Sequence, residues 1–289
     1  HKKEEMTIIA DSGSTKTDWC LCEEGRVVAT IQTQGINPFH QTEETIRRII
    51  HDELCSPVFF NALIGKDKIE GFFYGSGCTE SKALLLRSLL NDELAACGVT
   101  FEVYNDLLGA ARALFGKTAG IACILGTGAN SCLYDGNGIA ANTPPLGYIL
   151  GDEGSGAVLG RSFLNGIFKG WLSADLRDEF LAWVSLDYAG VIDRIYRQPM
   201  ANRFLASIVP FISKYVNEKS ELEMMVVENF RSFFRLNIAP YQRKDLSVSF
   251  IGGVANAFEF QLRKAADIEQ YKIGTIKKSP LDGLINYYF

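Results

Sequence analysis

Val27, Ala29 and Ile31 alternate with polar residues between Arg26 and Gln34, the period of a half-buried strand. Two shorter apolar segments, Thr7 to Ala10 and Thr17 to Cys22, read the same way, and Glu23, Glu24 and Gly25 turn the second into the third. The period then changes. Ile46, Ile49, Ile50 and Leu54 recur at helical spacing behind Glu43 and Glu44, which predicts a helix from Thr42 to Leu54 with acidic residues in its first turn. Strand Ile69 to Gly75, a Leu-rich helix Ser81 to Cys97 stopped by Gly98, strand Thr100 to Tyr104 and a helix Leu107 to Phe115 stopped by Gly116 follow.

A second pass of the same kind begins at Gly120. Strand Gly120 to Leu125 runs through a Gly-Thr-Gly turn into strand Ser131 to Tyr134, and the turn at Asp135 to Gly138 leads to Ile139 to Asn142. Its later members are strand Ser247 to Ile251, helix Ala255 to Ile268, strand Tyr271 to Ile276 and a terminal helix from about Pro280, with a helical stretch, residues 154–245, in between. An antiparallel triplet followed by alternating helices and strands therefore occurs twice. The expected architecture is α/β, a duplicated unit that sets two Gly-rich turns across a central cleft. The first domain is expected over residues 1–116 and the second over 117–289, with the terminal helix 280–289 free to pack on the first.

The chain has 289 residues, a length that itself suggests about two domains. At 47% apolar, 22% charged, 27 Gly and 8 Pro, it has the composition of a globular protein. A net charge of -5 argues against nucleic acid or an anionic membrane as the main partner. Its longest uncharged stretch, Thr118 to Tyr134, is broken by Gly120, Gly126, Gly128, Asn130 and Ser131, so no membrane span is expected. Lys2 and Lys3 precede only the short apolar run Met6 to Ala10, which is not a signal peptide, and His1 ahead of Met6 suggests an appended tail. A cytoplasmic protein is expected. The 7 cysteines (20, 22, 55, 78, 97, 123 and 132) lack CxxC spacing and read as reduced thiols, Cys20 and Cys22 sharing one strand face.

The candidate chemistry sits at the turns. Asp11 to Asp18 reads Asp-Ser-Gly-Ser-Thr-Lys-Thr-Asp, and Gly126 to Ser131 reads Gly-Thr-Gly-Ala-Asn-Ser. Glycines let backbone amides approach a phosphate, hydroxyls add donors, and an aspartate at a strand end can hold Mg2+ through water. Asn105 and Asp106 lie just past a strand and open a helix, where α/β proteins usually bind ligands; the plain alternative for Asp106 is an N-cap. Gly151 to Gly156, after Pro144 to Gly147, opens another helix, and Gly252-Gly253 joins a strand to a helix. Gly116-Lys117-Thr118 lacks the glycine of a Walker A loop, and no GxGxxG follows a strand. With only 3 His, one of them His1, a general base is expected to be a carboxylate.

In this order the two turns and Gly252-Gly253 resemble the two phosphate motifs and the adenosine motif of the superfamily of actin, heat-shock chaperones and sugar kinases. Within it the chain resembles the N-acetylglucosamine kinases of the BadF-type ATPase group. Gly35-Ile36-Asn37 is similar to their Gly-Thr-Asn sugar loop, and Tyr74 to Gly77, Asn105-Asp106 and Gly151 to Ser155 match other site segments. The chain departs from the pattern at Ile36 and at Tyr148 after Gly147. The resemblance implies a duplicated ribonuclease H-like fold with a helical insert in the second domain, and an ATP-dependent kinase acting on the 6-hydroxyl of an amino sugar such as N-acetylglucosamine. It implies Asp106 as base and Asp11 as the Mg2+ residue. Gly13, Ser14, Thr15, Lys16, Gly126, Thr127, Gly128, Gly252 and Gly253 would face ATP, and Asn37, Ser76, Asp106, Gly147 and Asp152 the sugar. The expected partner is a small sugar, with a homodimer left open. Two other readings also stay open. One is the ATPase that activates 2-hydroxyacyl-CoA dehydratases, whose cluster-binding Cys-Ala-Ala-Gly-Thr-Gly segment is absent here; the other is a non-catalytic actin-like ATP-binding protein.

Overall fold

The computed structural model describes residues 5–289, so His1, Lys2 and Lys3 lie outside the described residues. The chain forms two compact units: residues up to Lys117 together with Pro280–Phe289, and Thr118–Ser279. The first contains strands β1 (Glu5–Ser12), β2 (Lys16–Glu23) and β3 (Arg26–Gln34), helices α1 (Glu43–Ile49) and α2 (Pro57–Leu63), strand β4 (Lys68–Gly75), helix α3 (Glu80–Glu93), strand β5 (Val99–Asn105) and helix α4 (Asp106–Phe115). The second contains β6 (Gly120–Leu125), β7 (Ala129–Tyr134) and β8 (Ile139–Ala141), then α5 (Gly147–Leu150), α6 (Gly156–Lys169), α7 (Ala174–Val184), α8 (Tyr188–Tyr196), α9 (Ala201–Ala206), α10 (Val209–Tyr215) and α11 (Ser220–Phe233). It ends with β9 (Val248–Ile251), α12 (Gly253–Ala257), α13 (Glu259–Glu269) and β10 (Ile273–Lys277), after which α14 (Leu281–Tyr288) belongs to the first unit.

The repeat is exact at the level of topology. One sheet has the order β3-β2-β1-β4-β5 and the other β8-β7-β6-β9-β10, each with an antiparallel hairpin triplet and two parallel strands added beside its first strand. This is the duplicated ribonuclease H-like arrangement, with helices α6 to α11 inserted in the second copy.

Strand alternation explains how the first sheet buries both faces. Ile8, Ala10, Trp19, Leu21 and Phe73 join side chains of α1, α2 and α3 in one apolar cluster. Their neighbours Ile9, Cys20, Cys22 and Tyr74 face the other way and pack with Leu284 and Ile285 of α14. The shared face expected for Cys20 and Cys22 is therefore a packed one. In the second unit Phe163, Phe180, Phe211, Phe230, Phe233, Phe234 and Phe250 lie in a single buried cluster. No described helix is long and apolar enough to cross a membrane.

Three local features differ from the sequence reading. Ser56 caps α2 by accepting the Phe59 N–H at 3.3 Å, with Pro57 at the first helical position, a start signal that lies in a stretch without clear periodicity. The helix expected from Ala255 to Ile268 is broken at Phe258, which leaves helical dihedrals at φ -117, ψ 35 and puts its ring in the core. At the start of α4 the capping residue is Asn105, whose Oδ1 accepts the Leu108 N–H at 2.8 Å; Asp106 is the first helical residue and not the cap.

Candidate functional site

In the first unit, three parallel strands end side by side. The register pairs Asp11 with Tyr74 and Ser12 with Gly75, and Gly75 in turn with Asn105, so Asp11-Ser12, Gly75-Ser76 and Asn105-Asp106 leave the sheet at one edge. Carboxyl ends of parallel strands are where α/β sheets bind ligands, because backbone ends and helix starts converge there. Ser12 ties this edge together. Its buried hydroxyl bonds Thr17 Oγ1 at 2.7 Å, donates to the Ile36 carbonyl at 3.0 Å and accepts the Ile36 N–H at 2.9 Å. Ile36, the departure from the sugar-loop pattern, is thus an anchor with its side chain in the core.

That anchor delivers Asn37. Its Oδ1 accepts the Phe39 N–H at 3.0 Å and the His40 N–H at 3.3 Å, while Gln41 braces the loop by accepting the Asn37 N–H at 2.8 Å and donating to the Gly35 carbonyl at 2.8 Å. The Asn37 carboxamide occupies the space over Gly77, where a Cβ would come 2.0 Å from Oδ1. The first turn rests on Gly35 in the same way: a Cβ there would lie 2.5 Å from the Gly13 carbonyl oxygen. Within the turn, the Gly13 N–H bonds the Lys16 carbonyl at 2.9 Å, and Lys16 pairs with Asp18 at 3.4 Å. Asp11, Gly13 to Lys16, Asn37, Ser76 and Asp106 are therefore all on one sheet edge.

Two carboxyls at this edge have raised pKa values. Burial pushes Asp11 up from 3.8 to about 7, assisted by the Asp106 and Asp18 carboxylates and opposed by Lys16. Burial likewise pushes Asp106 up to about 6, against the pull of the Leu107 N–H and its own. Among the described residues the Asp11 carboxylate has no hydrogen-bond or ion-pair partner, and its nearest charged neighbours include two carboxylates against one lysine. Such a group calls for a cation. No cluster of three or more His, Cys, Asp or Glu ligands occurs among the described residues. The lone buried Asp11 carboxylate fits a hard cation, the kind that takes one or two protein carboxylates and fills its other positions with water and phosphate oxygens.

In the second unit the Gly126 to Gly128 turn docks on the start of α6. The carbonyls of Gly126 and Thr127 accept the N–H groups of Gly156 and Ala157 at 2.8 and 3.1 Å, and the Gly126 N–H bonds the Gly128 carbonyl at 3.0 Å. The carbonyls are thus turned into the helix, and among the described residues the N–H groups of Thr127 and Gly128 have no partner. This polarity suits an anion. Asp152, at φ 55, closes the site: its Oδ1 accepts the Ala129 N–H at 3.4 Å, and a Cβ on Gly128 would come 3.2 Å from its Oδ2. Burial raises its pKa. The glycines of this loop follow from packing, since a Cβ on Gly151 would meet the Pro145 carbonyl oxygen at 2.2 Å and one on Gly154 the Phe233 Cβ at 2.9 Å. Gly147, at φ 73, has open space around it. The Asp152 N–H bonds the Pro145 carbonyl at 2.9 Å, which ties the Gly147 segment to Asp152.

Gly252 and Gly253 differ from one another. Gly252 sits at φ 131, and a Cβ would lie 2.2 Å from the Leu125 carbonyl oxygen, so it lets β9 and β6 close at the root of the second turn. Gly253 has nothing within 4 Å of a built Cβ. Gly252→Ala should cost more than about 2 kcal/mol of stability. Gly253→Ala should leave stability within about 1 kcal/mol of the parent, because the methyl enters open space. Denaturant midpoints check both; equal stability losses would remove the distinction. Cys123 and Cys132 are buried, with burial pushing the Cys132 thiol up to about 12 and Cys123 well above its ordinary value, poor positions for cluster ligands.

No family model matches the chain. The crystal structure of a candidate N-acetylglucosamine kinase from Porphyromonas gingivalis is 44% identical, covers 98% of this chain and of its own, and superposes with a TM-score of 0.93. The chain belongs to the N-acetylglucosamine kinase family. An N-acetylmuramic acid/N-acetylglucosamine kinase of Clostridium acetobutylicum is 26% identical over 92% of both chains. An N-acetyl-D-glucosamine kinase of Dictyostelium discoideum is 26% identical over 57% of this chain, and the match spans about half, 54%, of that relative.

In this member of the kinase family, several residues that build the site carry no signal in the sequence. Asn229 on α11 accepts the Gly154 N–H at 3.0 Å across a separation of 75 residues. Gln41 braces Asn37 from what reads as an ordinary helix approach. Ser12 could have been singled out as a hydroxyl in the first turn, although its partner at Ile36 could not.

Proposed function

We propose that this chain, an ATP-dependent amino sugar kinase by family, transfers the γ-phosphoryl group of ATP to the 6-hydroxyl of N-acetylglucosamine, with Asp106 as general base. The observation that carries the assignment is the position of Asp106. It opens α4 at the carboxyl edge of the sheet, its capping duty is taken by Asn105, and burial holds it at about 6. A carboxylate with that pKa is ionised at neutral pH, and can still take a proton from a hydroxyl as the oxygen begins to bond phosphorus.

The remaining residues position and neutralise, which is most of what phosphoryl transfer asks of a protein. Asn37, Ser76, Gly147 and Asp152 are proposed sugar contacts. Asn37 suits this best, since its Oδ1 is occupied by backbone donors while its Nδ2 has no partner among the described residues. The turns at Gly13 to Lys16 and at Gly126 to Gly128 would face the phosphates, the second through the N–H groups of Thr127 and Gly128, and Gly253 would lie against the adenosine, with Gly252 shaping its approach. Asp11 would hold Mg2+, which when bound neutralises charge on the phosphate oxygens. A cytoplasmic location fits ATP as donor.

A coupled ADP-release screen over a panel of sugars tests the reading. N-acetylglucosamine should give the highest kcat/KM. Nucleotide binding without sugar-dependent ADP release would favour a non-catalytic actin-like protein instead.

A further inference from the structure

Helix α4 carries Asp106 at its first position and meets the sheet one turn later through Gly109. A Cβ on Gly109 would lie 2.8 Å from Cδ1 and 2.9 Å from Cγ of Tyr74, so the helix backbone rests directly on that ring. Tyr74 is fully buried in β4, paired with Asp11 in the parallel register, and stacked on Tyr104 with centroids 5.3 Å apart. Its hydroxyl is held at the far end, where Arg112 Nη1 donates to it at 2.9 Å and the Tyr288 hydroxyl shares a hydrogen bond with it. Arg112 lies over the Tyr104 ring at 4.6 Å and the Tyr287 ring at 5.1 Å, and has no carboxylate partner among the described residues. The end of α4 is seated as closely, since a Cβ on Gly283 of α14 would lie 2.4 Å from the Ala113 carbonyl oxygen.

Apolar packing alone would hold α4 to the sheet without fixing its height or the angle of the ring beneath it. Tyr74 is buried and Arg112 half-buried, a hydroxyl and a guanidinium so placed are costly unless bonded, and here the bond from Nη1 to the Tyr74 hydroxyl favours one orientation of the ring. We infer that Tyr74 is a positioning residue for Asp106: its ring sets the seat of α4 through Gly109, and Arg112 and Tyr288 lock that ring. The inference rests on Asp106 being the base. Catalytic groups must be held to within a fraction of an ångström, and a shift of about 1 Å from a remote change can cost ~10²-fold in rate.

The test compares Gly109→Ala, which drives a methyl into the ring, with Tyr74→Phe, which keeps the ring and removes its lock. Gly109→Ala should lower kcat by ~10- to 10²-fold with KM for sugar and ATP within about threefold of the parent, and should move the acidic limb of the kcat/KM profile. Tyr74→Phe should lower kcat by a smaller factor, and Tyr74→Leu added to Gly109→Ala should restore part of the loss, because the smaller side chain makes room for the methyl. Far-UV circular dichroism on each variant establishes that it is folded. Folded Gly109→Ala and Tyr74→Phe proteins with parental kcat and pH profile would overturn the inference, and if Gly109→Ala does not fold, Tyr74→Phe decides alone. Asp106→Asn separates the two levels. If it loses turnover while both other variants keep theirs, only the positioning role fails; if it keeps turnover, the base assignment fails and the positioning role with it.

Discussion

Asp106→Asn should lower kcat by ~10²- to 10⁴-fold while sugar and nucleotide affinities stay within about threefold of the parent. Asparagine has nearly the same shape, and the start of α4 is capped by Asn105, so the exchange removes a proton acceptor without removing a cap. The pH dependence gives a second signature. Because burial holds Asp106 at about 6, kcat/KM of the parent should rise with pH through about 6 and level off above it. In the variant that limb should vanish. Near-parental turnover would reduce Asp106 to a first-turn acid that complements the helix dipole, an interaction of about 0.3–1 kcal/mol.

Asp11→Asn should abolish turnover with Mg-ATP, and it should do so without weakening the free protein. Burial raises the folded pKa of Asp11 from 3.8 to about 7, so folding favours its protonated form. The stability this contributes is complete below about pH 4 and is lost as pH rises through about 7. Near pH 8 the charged carboxylate is then a burden on the free protein, and the neutral amide removes it. Melting curves at that pH should place the ligand-free variant at or above the parent, whereas the increment that Mg-ATP gives the parent, which grows as RT ln(1 + [L]/Kd), should shrink sharply in the variant. A variant that melts several degrees lower when free, yet keeps the full Mg-ATP increment, would show that Asp11 serves the fold and not a metal.

Much of the fold was legible because burial obeys period. Ile8 and Ala10 against Ile9, and Trp19 and Leu21 against Cys20 and Cys22, separate onto the two faces that their alternation assigns them. The duplication was legible for the same reason, since each copy opens with an apolar strand running into a Gly-rich turn. What was hidden depended on partners distant in sequence. Ser12 bonds Ile36 across 24 residues, and Asn229 reaches Gly154 from an inserted helix; no local pattern encodes either bond. At Asn105-Asp106 two good capping residues stand together, and only the conformation of the chain decides which one caps, so the resemblance pointed to Asp106 before the residues alone could. The glycines of Gly151 to Gly156 looked like a ligand loop, and the structure explains several by close backbone packing instead.

Sugar-dependent phosphoryl transfer to a single hydroxyl is tested most directly by product analysis with phosphorus and carbon NMR. With Mg-ATP and N-acetylglucosamine the expected result is one sugar 6-phosphate formed for each ADP released, and negligible ADP when the sugar is left out. ADP released at the same rate with and without sugar, or a phosphate on any other hydroxyl, would contradict it.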